Sequence, residues 1–134
     1  MQFRWSFGLW MAFLGIAMAN GAVGDLLLAR FISPYGIHLY KTGVAVLALI
    51  ILARLYAQKV RPTRWLQDAL ECSFIWVILT LSFEFLVGHY LLNNPWAVII
   101  QEYHLAEGRW WVLVPTTEFI APLFLGWRRR PKFR

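Results

Sequence analysis

The chain has 134 residues, of which 60% are hydrophobic and 17% aromatic, including eight tryptophans and ten phenylalanines. A soluble domain of this length could not withdraw that much apolar surface from water. The charged fraction of 15% also falls below the roughly one quarter usual in soluble proteins. The net charge of +6 is gathered in clusters beside apolar runs, which points to membrane flanks and anionic lipid heads, and away from nucleic acid. These features predict an all-α integral membrane protein, a four-helix bundle forming one domain over residues 1–134.

The first apolar run predicts a span over about residues 5–24, ended by Asp25, Arg30 and Ser33-Pro34. It has one Arg in front and no clear small-x-small cleavage site, so a cleavable signal peptide is not expected. Gly8, Ala12, Gly15, Ala19 and Ala22 repeat at 4-3-4-3 spacing, a face that lets another helix approach closely. Packing within the monomer is the simpler use of that face; a neighbouring subunit or a second copy is the other. Span two is expected over about 38–56, and span three over about 69–92. Cys72 is the only cysteine, which excludes an internal disulfide and reads as a small buried hydrophobe.

Asn94-Pro95 supplies an N-cap and an N1 proline, and Gly108 stands where a helix end favours a left-handed residue. With Trp96, Ile99, Ile100 and Tyr103 at helical spacing between them, residues 95–107 read as a short amphipathic helix on the outer interface. The fourth span is expected over about 110–126 and bent by Pro115 and Pro122, which free the carbonyls of Trp111 and Glu118. Arg4, Arg54, Lys59, Arg61, Arg64 and Arg128, Arg129, Arg130, Lys132 and Arg134 share one side. Arg30, Lys41 and Arg109 occupy the other. Ten cations against three place both termini in the cytoplasm, with the C-terminal cluster contacting lipid heads.

The most informative residues are Glu84 and Glu118, deep in spans three and four at similar depth. A carboxylate near the bilayer centre costs about 2.5–3.5 kcal/mol on insertion scales unless it is satisfied. Asn20, Lys41, His89 and Arg109 could join them in one polar network opening outward. Three uses of such a network compete. In the first it is structural, with Lys41 or Arg109 pairing with a glutamate. In the second the glutamates bind and release protons or cations along a path. In the third, His38, His89, His104 and Glu107 hold a metal such as zinc or iron, or the histidines ligate a pigment. No HExxH, His-x-x-His or cysteine ligand supports the third use, and no cofactor is required by the sequence. No nucleophile elbow, phosphate loop or nucleotide fingerprint is present, so no catalytic residue is assigned.

The stretch Leu79-Thr80-Leu81-Ser82-Phe83-Glu84-Phe85-Leu86-Val87-Gly88-His89-Tyr90 is followed by Trp96, then by Tyr103-His104-Leu105-Ala106-Glu107-Gly108-Arg109-Trp110-Trp111 and by Ala121-Pro122. This order resembles a family of small bacterial four-span membrane proteins usually labelled hypothetical, over roughly the second half of the chain. The resemblance implies that Glu84, Gly88, His89, Gly108 and Arg109 are special, and it supplies no activity. The family's pattern often carries Asn where this chain has His104, which counts against a metal role there. The expectation is a bacterial inner-membrane protein acting as an accessory or assembly subunit of a larger membrane complex. The alternatives are a homodimeric proton- or cation-coupled carrier or channel, and a membrane enzyme with a His/carboxylate metal site.

Overall fold

The computed structural model describes residues 2–132 of the chain. Its five α-helices, with no strand among the described residues, are α1 (Phe3–Leu26), α2 (Pro34–Ala57), α3 (Trp65–Leu86), α4 (Trp96–Gln101) and α5 (Leu113–Trp127). Three helical stretches are long and apolar enough to cross a membrane: Phe3–Arg30, Pro34–Ala57 and Pro62–Leu91. The helix Leu113–Trp127 is apolar but shorter. The protein is therefore a small all-α polytopic membrane protein.

The helices begin and end where local chemistry dictates. Ser33-Pro34 opens α2 as well as closing the preceding turn: the Ser33 hydroxyl accepts from the Gly36 amide at 3.1 Å, and Pro34 occupies the first helical turn. The second apolar helix thus starts four residues before the expected 38. The third helix loosens into a π-turn over Val87–Leu91 before residue 92. The single helix expected over 95–107 does not form; α4 stops at Gln101 and a 3₁₀ turn follows at Leu105–Glu107. Between them His104 adopts φ −80°, ψ 83°, and the Leu105 amide bonds the Tyr103 carbonyl, an inverse γ-turn. The break has a geometric reason. Glu102 reaches His38 and Tyr103 reaches Glu84, whereas adjacent residues of a continuing helix point about 100° apart. Gly108 has φ +79°, which any side chain would strain.

α5 lies against both α2 and α3, while α1 packs on α2 and more lightly on α3. The buried face of α5 is the row Val114, Glu118, Pro122 and Gly126, one residue per turn. At Gly126 a Cβ would stand 3.0 Å from the Ala69 Cβ, so glycine permits the close approach of α3 and α5. Pro122 lies inside α5, but Pro115 falls in its first turn, where a missing amide costs no helical bond. The Ser73 hydroxyl donates to the Phe119 carbonyl at 2.7 Å, tying α3 to α5 beside the proline. Leu49, Tyr56, Cys72, Trp76 and Val114 fill the centre and are fully buried.

Candidate functional site

One face of α3 carries Trp76, Thr80 and Glu84 at successive turns, and the polar chemistry of the bundle is organised around it. The Trp10 indole Nε1–H donates to Thr80 Oγ1 at 2.9 Å, and Thr80 Oγ1 lies 2.5 Å from Glu118 Oε2. An indole N–H can only donate, so the single Thr80 hydroxyl proton points to Glu118. One turn higher, Glu84 Oε1 accepts from the Trp111 indole at 2.7 Å, and Glu84 Oε2 accepts from the Tyr103 hydroxyl. Glu84 and Thr80 line one cavity, and Thr80 is also bonded to Glu118, which does not line it. Glu118 is fully buried, and its Oε1 has no hydrogen-bond partner.

Among the described residues neither glutamate is ion-paired, contrary to the pairing expected for Lys41 and Arg109. Lys41 Nζ lies 2.6 Å from Asp25 Oδ1, and Arg109 Nη1 lies 3.8 Å from Glu102 Oε1. Reach explains this: Asp25 in the last turn of α1 and Glu102 at the end of α4 stand at the same end of the bundle as the two cations, so the long side chains stay there. Asn20 Nδ2 donates to the Lys41 carbonyl at 3.1 Å, while its buried Oδ1 is unpartnered.

Two cavities flank Glu84. The first, about 260 Å³, runs between α1 and α3, and its wall includes Trp10, Phe13, Asn20, Lys41, Thr80 and Glu84. The second, about 390 Å³, lies under the 92–112 connection and includes His38, Gly88, Ile99, Glu102 and Tyr103. Lys41, Phe83, Glu84 and Trp111 belong to both. Below them lie the fully buried side chains of Tyr56, Trp76 and Leu49.

The residues expected to hold a metal do not converge: no group of three or more His, Cys, Asp or Glu side chains is placed to hold one among the described residues. His38 Nδ1 lies 3.1 Å from Glu102 Oε2, and its Nε2 accepts from the Trp110 amide at 2.9 Å. The neutral ring therefore carries its proton on Nδ1, facing the carboxylate. His104 Nδ1 lies 3.6 Å from Glu107 Oε2. His89 stands apart from the glutamates as well: it stacks on Trp96 with ring centres 3.7 Å apart, and its Nδ1 lies 2.9 Å from the Asn94 carbonyl. His89 comes five residues after Glu84, about 140° around an α-helix from the Thr80–Glu84 row, so it does not extend that row. Arg128, Arg129, Arg130 and Lys132 are exposed, with the Arg130 guanidinium 4.2 Å above the Trp127 ring. Arg134 lies outside the described residues.

The polar group that sequence reasoning missed is at the opposite end of the bundle. Asp68 is fully buried and accepts from Arg61 three times: from Nε at 3.0 Å, Nη2 at 2.6 Å and the backbone amide at 3.0 Å. These bonds hold the Arg61 guanidinium above its ordinary pKa. The Tyr56 hydroxyl donates to the Asp68 carbonyl at 2.8 Å, so one locus joins α2, the connection and α3. The available signal was Asp68 itself, an acid beside an otherwise cationic connection. No protein-family model, curated protein or solved structure matches the chain.

Proposed function

We propose that the chain is a four-span protein of a bacterial inner membrane that serves as an accessory or assembly subunit, docking another membrane helix against α1. In this reading α5 completes the fourth crossing, α4 lies at the outer interface and both termini face the cytoplasm, as the ten-to-three division of cations favours. The resemblance to the small bacterial four-span family fits the same assignment.

The observation that carries the docking role is the orientation of α1. It turns Ser6, Trp10, Phe13 and Asn20 inward and leaves Gly8, Ala12, Gly15, Ala19 and Ala22 on the surface. A Cβ at Gly8 or Gly15 would meet nothing within 4 Å. Packing inside the monomer therefore does not use the small-residue face. Elsewhere the exposed surface is covered by bulky side chains, such as Leu47, Ile50, Ile51 and Leu55 of α2. Lipid chains are as apolar as these, so close approach to a helix is the distinctive capacity of the α1 stripe.

A photocrosslinking side chain at Ala12 or Ala19, in the native membrane, should yield a discrete protein adduct, whereas one at Ile51 should not. An adduct with a second copy would assign a homodimer, and identical lipid-only patterns at all three sites would refute docking through α1.

A second reading has its own observation: among the described residues Glu118 Oε1 is buried without a partner, and neither glutamate meets a cation. Such groups suit exchange of a proton or cation. The buried Tyr56, Trp76 and Leu49 beneath the cavities favour a pathway between two copies, so this reading takes a homodimer. Proteoliposomes with Glu118→Gln test it; ion or proton flux equal to the unsubstituted protein would remove it.

A further inference from the structure

The cavity between α1 and α3 presents unfilled acceptors to whatever enters it. Asn20 is 7% exposed, lines the cavity and has a free Oδ1. Each Glu84 oxygen accepts one hydrogen bond and keeps a lone pair available. The Thr80 hydroxyl is committed to Trp10 and Glu118, so it adds no competing donor. Lys41 also borders the cavity, but its ammonium is neutralised by Asp25 at 2.6 Å. Lys41 is thus engaged with Asp25, and Glu84 has no cation within ion-pairing distance among the described residues. The remaining wall is apolar and includes Phe13, Leu14, Ala17 and Phe83, with Met18 (61% exposed) at the mouth between α1 and α3.

We propose that this cavity binds a primary alkylammonium, with its three N–H donors on Glu84 and Asn20 and its apolar chain leaving past Met18 into the bilayer. A primary ammonium has three donors and no acceptor, which suits the unfilled acceptors of Glu84 and Asn20. A quaternary ammonium satisfies the charge but none of the hydrogen bonds. The ligand chemistry is shared by free lipophilic amines and by ethanolamine headgroups of lipids. The site does not depend on a partner at α1, since the small-residue stripe lies on a different face of that helix.

The test uses the full chain in dodecyl maltoside and measures saturable retention of radiolabelled dodecylammonium. The unsubstituted protein should bind one equivalent, with dodecyltrimethylammonium and dodecanol each at least about tenfold weaker. Glu84→Gln keeps the shape and should weaken binding by about tenfold or more. Gly21→Leu fills the cavity from a position where a Cβ meets nothing within 4 Å, and should abolish binding. Protection of Cys72 from thiol reagents verifies that each variant is folded. Displacement of co-purified phosphatidylethanolamine by the amine assigns the natural ligand to the lipid headgroup; binding without such displacement assigns a free amine. Absence of saturable binding, or equal binding by folded Glu84→Gln and Gly21→Leu, overturns the proposal.

Discussion

Thr80→Val should destabilise the bundle through two groups that the substitution itself does not touch. Valine has nearly the shape of threonine, so packing at this buried position is conserved, but the hydroxyl between Trp10 and Glu118 is lost. Each lost interhelical bond contributes about 0.6 kcal/mol on the average of membrane double-mutant cycles. That sets a floor of about 1 kcal/mol for the two. The Trp10 Nε1–H and the Glu118 carboxyl are then left unpartnered, and a stranded buried polar group costs about 1–3 kcal/mol. The expected loss is about 2–3 kcal/mol. Thr80→Ser keeps the hydroxyl and should cost about 1 kcal/mol, from the missing methyl alone. Trp10→Phe removes the donor, so Trp10→Phe with Thr80→Val should cost less than the sum of the two single changes. Cys72 reports the unfolding directly: it is fully buried and the only thiol, so pulse alkylation along an SDS titration in mixed micelles measures opening of the core. Equal losses for Thr80→Val and Thr80→Ser, or strict additivity with Trp10→Phe, would refute the relay.

Three further outcomes follow from other contacts. Arg61→Ala strands the carboxylate of Asp68 in the core, whereas Asp68→Asn releases an arginine that can turn to water, so Arg61→Ala should label Cys72 at lower SDS than Asp68→Asn. Gly126→Ala should cost about 1–3 kcal/mol by pressing on Ala69, and Ala69→Gly in the same chain should recover part of it, read by the same labelling. Fusions to alkaline phosphatase should be active when joined after residue 31 or 94 and inactive after residue 60 or 130; the reverse pattern would contradict cytoplasmic termini.

The helices were legible because hydrocarbon imposes a simple rule: long apolar runs must form them, as the runs containing Trp10, Leu49 and Trp76 do. Their ends were less legible. Ser33-Pro34 has the chemistry of a stop and of a start, and only the Ser33 bond to the Gly36 amide decides between them. Residues 95–107 have helical spacing, but that spacing could not reveal that Glu102 and Tyr103 are drawn to separate partners. The polar chemistry was legible in its residue types and not in its pairings. Glu84 and Glu118 stood out by depth, yet their partners are Tyr103, Trp111 and Thr80, residues whose apolar or hydroxyl character gave no charge signal. Sequence spacing on α1 marked the small-residue stripe but not its outward direction, which follows from Trp10 and Phe13 turning inward.

The last helix is the short one, and its shortness has an architectural result. Fifteen residues span about 22 Å, roughly 8 Å less than a hydrocarbon core of about 30 Å. Its neighbours α2 and α3 have 24 and 22 residues, so a recess is left above its first turn. The stretch from 92 to 112 crosses there, which is how Tyr103 and Trp111 come within reach of Glu84. Extending the helix by one turn toward its start would fill the recess, evict both aromatic donors and leave Glu84 facing a wall of backbone.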